Sequence, residues 1–143
     1  MVWKVPFEPG VLKAVSRRDG KVVLTEEKHT AGKAAKIELI ADRKLIKSDG
    51  KDLSFITVRI LDAAGNVVPD ADNLVNFTIK GKGIIAGVDN GSQVSMESFK
   101  EPQRKAFHGL CLAIVQASKA PGLVTFTARA DGLLPATLTL KVR

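Results

Sequence analysis

Side chains that alternate between apolar and polar at every second position dominate this chain. Val124, Phe126 and Ala128 alternate with Thr125, Thr127 and Arg129, and Ala136, Leu138, Leu140 and Val142 with Thr137, Thr139 and Lys141. The same period runs through Val75, Phe77 and Ile79, through Ile56, Val58 and Ile60, and around Glu38 between Ile37 and Leu39. A period of two sends successive side chains to opposite faces of a strand, so each run predicts one face on a core and one in water. The main stretch without a clear period is Ser92 to Arg104, broken by Pro102. It reads as a long loop with room for one helical turn, and long loops in compact domains tend to be functional or mobile.

Turn formers punctuate these runs: Asp49-Gly50, Ala64-Gly65-Asn66, Gly81-Lys82-Gly83, Asp89-Asn90-Gly91, Pro121-Gly122 and Asp131-Gly132. Between them we expect seven strands near 35–41, 53–62, 74–80, 83–88, 107–118, 122–130 and 133–142. That density predicts an all-β, immunoglobulin-like antiparallel sandwich over residues 33–143. Both faces of Leu110–Val115 are apolar, so its inward parity stays open. Residues 1–32 differ. Trp3, Val5 and Phe7 share one strand face ended by Pro9-Gly10, and two further strands flank Asp19-Gly20, a hairpin turn pair. Three strands are too few for a core of their own, so a β-rich remnant of a preceding domain is expected, joined through Thr30-Ala31-Gly32-Lys33.

With 143 residues, 45% of them hydrophobic, the chain can bury a good core. A net charge of +7 invites a nucleic-acid reading. The lysines are scattered, however, and the densest run, Arg17-Arg18, has no interleaved aromatics for bases to stack on. A solvated lysine-rich surface is the better account, so neither nucleic acid nor a membrane is an expected partner. The single cysteine, Cys111, sits in the apolar run Leu110–Val115 and reads as core, not as a reactive thiolate. Residues 1–6 lack the regions of a signal peptide, so we expect an intracellular protein or a piece cut from a larger one.

No constellation for catalysis stands out. A retaining glycosidase needs two carboxyls about 5–5.5 Å apart across a cleft. Glu26 and Glu27 are strand neighbours facing opposite ways, and Glu97 and Glu101 align only if their loop is helical. His29 and His108 are too far apart in sequence for a zinc-type motif. The Asp62, Asp70, Asp72, Asn66 and Asn73 group lacks a calcium-loop pattern and reads as turn capping. No nucleophile elbow or phosphate cradle is present. We therefore expect no catalytic residues, no metal and no cofactor. A glycan-binding or interdomain surface is the remaining sharp reading, with Trp3, Asp89, Asn90, Glu97, Phe99 and Arg104 as its candidates, because loops on rigid scaffolds carry function.

Two stretches carry a resemblance. Trp3–Gly10 with Leu12-Lys13-Ala14-Val15 resembles the end of the penultimate β-domain of family-two glycoside hydrolases, followed as there by a hairpin and Thr30-Ala31-Gly32. The remainder resembles the C-terminal immunoglobulin-like domain of bacterial β-galactosidases of that family. The matching stretches are Ala41-Asp42-Arg43, Asp49–Phe55, Asp62–Pro69, Ala71–Val75 with Phe77, Ala86–Gly91, Glu97–Lys100 and Gln103–Phe107. Where the family often has an acidic residue and then proline after the glycine turn, this chain has Ser92-Gln93, which argues against an acidic ligand site there.

The resemblance implies a parent enzyme acting on β-galactosides, whose β/α barrel is absent here because that fold needs roughly 250 residues. The expected function is a non-catalytic C-terminal accessory domain, structural or domain-docking. The alternatives are a stand-alone carbohydrate-binding module and an adhesin-like cell-surface immunoglobulin repeat. Expected partners are other domains of the parent, with a glycan as a further candidate. A homodimer or docked N-terminus through the apolar Trp3, Val5 and Phe7 face is also expected. The family resemblance alone implies an extracytoplasmic location.

Overall fold

A computed structural model describes residue 2 and residues 4–143. They divide into two compact units that part between Ala31 and Gly32.

The first unit is a hairpin of β1 (Val11–Arg18) and β2 (Lys21–His29). Asp19 and Gly20 both take positive φ, 50° and 76°. Two consecutive positive φ values give the turn whose twist matches paired strands, which Asp-Gly supplies cheaply. At the open end, the Gly10 and Thr30 backbones pair, and Gly10 N also donates to Thr30 Oγ1 at 2.9 Å. Val5 and Phe7 do not lie on a strand, and Trp3 lies outside the described residues. The three-stranded expectation is thus corrected to two strands. Pro6 and Pro9 have no N–H to give a ladder, and no third strand of this sheet lies among the described residues.

The second unit has nine strands: β3 (Ala34–Ala41), β4 (Leu45–Ile46), β5 (Leu53–Asp62), β6 (Leu74–Gly81), β7 (Gly83–Asp89), β8 (Gln103–Lys105), β9 (Leu110–Ala117), β10 (Gly122–Arg129) and β11 (Ala136–Val142). They form a four-stranded sheet, β3-β5-β9-β7, and a five-stranded sheet, β4-β11-β10-β6-β8. All pairs are antiparallel except β4 with β11. The expected seven strands are present. The additional β4 and β8, two and three residues long, are too short to show a period in sequence.

Alternation lays down the core of this β-sandwich. Ile56, Val58 and Ile60 of one sheet and Val75, Phe77, Val124, Phe126, Ala128, Leu140 and Val142 of the other are buried. Phe77 and Phe126 stack at 5.4 Å between ring centres. In β9, Cys111, Ala113, Val115 and Ala117 face in while Leu110 faces out, which resolves the open parity. Burial pushes the Cys111 thiol up to about 12, so it stays protonated and inert.

Carboxylates fix the turns. Asp42 Oδ1 accepts from Arg43 N, Ser54 Oγ and Phe55 N, and Asp49 Oδ1 accepts from Lys51 N and Asp52 N. Asp62 accepts from Gly32 N, Asn66 N and Asn66 Nδ2, which hold its carboxyl down to about 2. Gly81 carries the chain from one sheet to the other at φ 101°, and a Cβ there would collide with the Leu123 carbonyl oxygen.

Candidate functional site

Five of the six candidate residues converge on one structure, the loop between β7 and β8. The loop leaves β7 at Asp89, turns at Gly91 with φ 73°, and returns through Pro102 into β8. Strand β8 is an edge strand paired to β6, with Val75 opposite Arg104. Its alternation puts Gln103 and Lys105 in solvent and turns Arg104 inward, where the side chain is 0% exposed.

The guanidinium organises everything around it. Arg104 Nη1 donates to Glu97 O at 3.1 Å and Nη2 to Asn90 Oδ1 at 3.0 Å, with Asp89 Oδ1 at 3.5 Å. Its planar group lies 5.0 Å from the Phe99 ring centre, a cation–π distance. Glu97 Oε2 is 3.8 Å from Arg104 Nε, close enough for attraction but too far for a hydrogen bond, and Nε has no partner.

Asp89, Asn90 and Glu97 find their partners within the loop and β8. Glu97 Oε1 accepts from Lys105 N and Oε2 from Ser95 Oγ, both at 3.1 Å. Asp89 Oδ1 accepts from Asn90 N and Gly91 N. Asn90 Oδ1 accepts from Ser92 N as well as from Arg104, and its Nδ2 donates to Lys105 O. Backbone bonds stitch the loop down, from Val88 N to Phe99 O and from Phe77 N to Pro102 O. The allowance for a helical turn is corrected: the segment is irregular because a buried cation, not an internal ladder, sets its path.

Arg104 has no surface with which to touch a ligand, so its part is to shape the loop. Trp3, the sixth candidate, lies outside the described residues. What the loop presents outward is mixed: Val94 is 86% exposed, Met96 96% and Phe99 57%, beside exposed Gln93, Ser98, Lys100 and Glu101. Val94 and Met96 were not among the candidates, and the one sequence signal for them is the faint alternation in Gln93–Glu97. A second feature absent from the sequence reading is a shallow groove of about 270 Å³ bordered by Asn76, Arg129, Asp131 and Pro135 at the β10–β11 turn.

Other carboxylates raised as chemical candidates are engaged or isolated. Glu27 pairs with Lys13 at 2.7 Å, which lowers its pKa. Among the described residues no three His, Cys, Asp or Glu side chains group as a metal set.

Comparison with known proteins fits this geometry. Residues 37–139 match glycoside hydrolase family 2 C-terminal domain 5, and residues 1–24 match a domain of unknown function (DUF4982). The β-galactosidase BoGH2A of Bacteroides ovatus is 54% identical over 140 residues, covering 98% of this chain and 16% of that protein. A β-glucuronidase of Formosa agariphila is 30% identical over 139 residues, covering 96% of this chain and 14% of its own length. The crystal structure of a glycosyl hydrolase family 2 member from Bacteroides cellulosilyticus superimposes with a TM-score of 0.94 at 40% identity, over 100% of this chain and 18% of that one. The chain thus spans less than a fifth of the length of these relatives. The motifs that the structure uses as turn caps and as the Arg104 clasp lie within the matched region, and the chain belongs to the glycoside hydrolase family 2 C-terminal domain 5 family.

Proposed function

We propose that this chain is a non-catalytic C-terminal accessory domain of a glycoside hydrolase acting on β-galactosides, with a structural or domain-docking role. One observation carries the reading: a β-galactosidase shares 54% identity across 98% of this chain, while that match occupies 16% of the enzyme. Chemistry placed in the other five-sixths of such a protein would leave this domain free to serve as a support. The binding of local carboxylates into turns and into the Arg104 clasp agrees with that role, since a glycosidase pair must stand free on a cleft. From the family resemblance alone we also propose an extracytoplasmic location, and residues 1–32 as a β-hairpin-rich remnant of a preceding β-domain ahead of 33–143 in the sequence.

The test uses the purified chain. It is assayed on chromogenic β-galactoside and β-glucuronide, then titrated with galactosides and plant polysaccharides at low and high salt. Hydrolysis at the buffer rate, and no salt-resistant binding, is the expected result. Turnover by the chain would overturn the reading, and salt-resistant binding of one glycan would make it a carbohydrate-binding module instead.

A further inference from the structure

We infer, independently of the accessory role, that Asn90-Gly91 is a latent self-modification site, with Arg104 as the positioning residue that keeps the Asn90 side-chain amide from cyclising onto the backbone.

Gly91 is present for its backbone. Its φ is 73°, and a Cβ on it would meet nothing within 4 Å, so conformation and not packing calls for glycine here. That choice creates a reactive pair. A glycine nitrogen has no side chain beside it as a shield, so it can attack Cγ of the asparagine that precedes it. The bond from Gly91 N to Asn90 Cγ forms and the Cγ–Nδ2 bond breaks. Nδ2 leaves as ammonia, carrying the proton that Gly91 N gives up. One water then opens the five-membered imide at either carbonyl, to aspartate or isoaspartate. No oxidant, metal or cofactor enters the balance. The other asparagines, Asn66, Asn73 and Asn76, precede Val67, Leu74 and Phe77, whose side chains crowd the same attack.

Cyclisation needs two movements, and the loop opposes both. The Asn90 amide has to turn its face to Gly91 N, but both of its ends are held. Oδ1 accepts from Arg104 Nη2 and Ser92 N, and Nδ2 donates to Lys105 O, each at 3.0 Å. Gly91 N has to leave its own acceptor, Asp89 Oδ1 at 3.2 Å. Arg104 is the strongest of these restraints. Its side chain is 0% exposed and its Nε already lacks a partner, so turning Asn90 away would take another acceptor from a buried charge. Arg104 and Lys105 both belong to β8, which is paired to β6, so the amide is tied to the sandwich and not only to its own loop. Gly91 itself is exposed, so water can reach the imide once it forms. Reaction removes the donor that Lys105 O accepts from, and isoaspartate adds an atom to the backbone of the turn. A modified loop therefore cannot rebuild the clasp.

The experiment incubates the purified chain in heavy-oxygen water at mildly alkaline pH, both folded and unfolded in guanidinium chloride. Mass spectrometry follows label entering the peptide that holds position 90, and hydrogen exchange in β5 and β10 reports whether each variant is folded. The folded wild type is expected to react about a hundredfold more slowly than the unfolded chain. That is the factor that about 3 kcal/mol for breaking a buried charge contact gives, at tenfold per about 1.4 kcal/mol. Arg104→Ala is expected to abolish most of this protection. Asp89→Ala, which frees only Gly91 N at a side chain 47% exposed, is expected to accelerate the reaction about fivefold. Phe126→Ala, a core truncation in β10, is expected to leave the rate at position 90 unchanged, because the reaction passes through a local opening. A folded wild type that reacts as fast as the unfolded chain would overturn the inference. So would a folded Arg104→Ala or Asp89→Ala chain that reacts no faster than wild type, or an acceleration by Phe126→Ala equal to that by Arg104→Ala. If Arg104→Ala does not fold, Asp89→Ala and the folded–unfolded comparison decide by themselves.

Discussion

The hairpin of residues 11–29 and the sandwich of residues 32–143 are written in the same alternating code, yet they handle it differently. In the hairpin, Val11 and Leu12 are adjacent and therefore on opposite faces, and both are more than half exposed, as are Val22, Val23 and Leu24. In the sandwich, Ile56, Val58 and Ile60 sit at 0%. Alternation plus an Asp-Gly turn suffices to pair two strands. Burial additionally needs a second layer, which two strands cannot provide for themselves.

Truncating the core should break the comparison most sharply. Phe126→Ala removes a ring stacked on Phe77 and should cost about 4 kcal/mol in urea unfolding followed by far-ultraviolet circular dichroism. Hydrogen exchange in the hairpin should not change. A parallel rise in hairpin exchange would mean the two units fold as one.

Arg104→Ala comes next, at about 3 kcal/mol, since it leaves Asn90 and the Glu97 carbonyl without their buried partner. Amide exchange should accelerate across 89–103 before it does in β5 or β10. Uniform acceleration instead would show that Arg104 supports the whole sandwich and not the loop.

A smaller effect belongs to Asp62. Its carboxyl is held at about 2 against an ordinary 3.8, so the folded state favours the ionised form. Its contribution is fully present above about pH 4 and fades as pH falls towards 2. Asp62→Asn should flatten that part of the stability–pH curve. An unchanged acid limb would assign the acid sensitivity to other groups.

The smallest effect is expected in the hairpin. Val23→Ala at a 61% exposed site should change stability by no more than about 0.5 kcal/mol. A loss comparable to that of a core valine would reveal a covering surface on this face.

The alternating positions were legible before any coordinates: Val75, Phe77, Val124, Phe126 and Ala128 are where the period puts them. The turns were legible too, because Asp-Gly and Asn-Gly pairs carry their own conformational reason. The loop was located, and five of its residues were named, but their roles were not legible. Arg104 lies among Gln103, Lys105 and Glu101, where an arginine reads as surface. Only the pairing of β8 with β6 turns it inward. The exposure of Val94 and Met96 was not legible, because the faint alternation in Gln93–Glu97 spans only five residues and belongs to no strand.

By itself, then, the sequence determined which segments extend, where the chain turns, and that one unit could support a core while the other could not. Those properties depend on neighbours within a few positions. Tertiary structure alone decided which face of β9 is buried, because β5 and β7 flank that strand from either side and both its own faces are apolar. It also decided that a cation lies at the root of the 89–105 loop, because burial depends on partners brought from distant parts of the chain and not on the residue's own type.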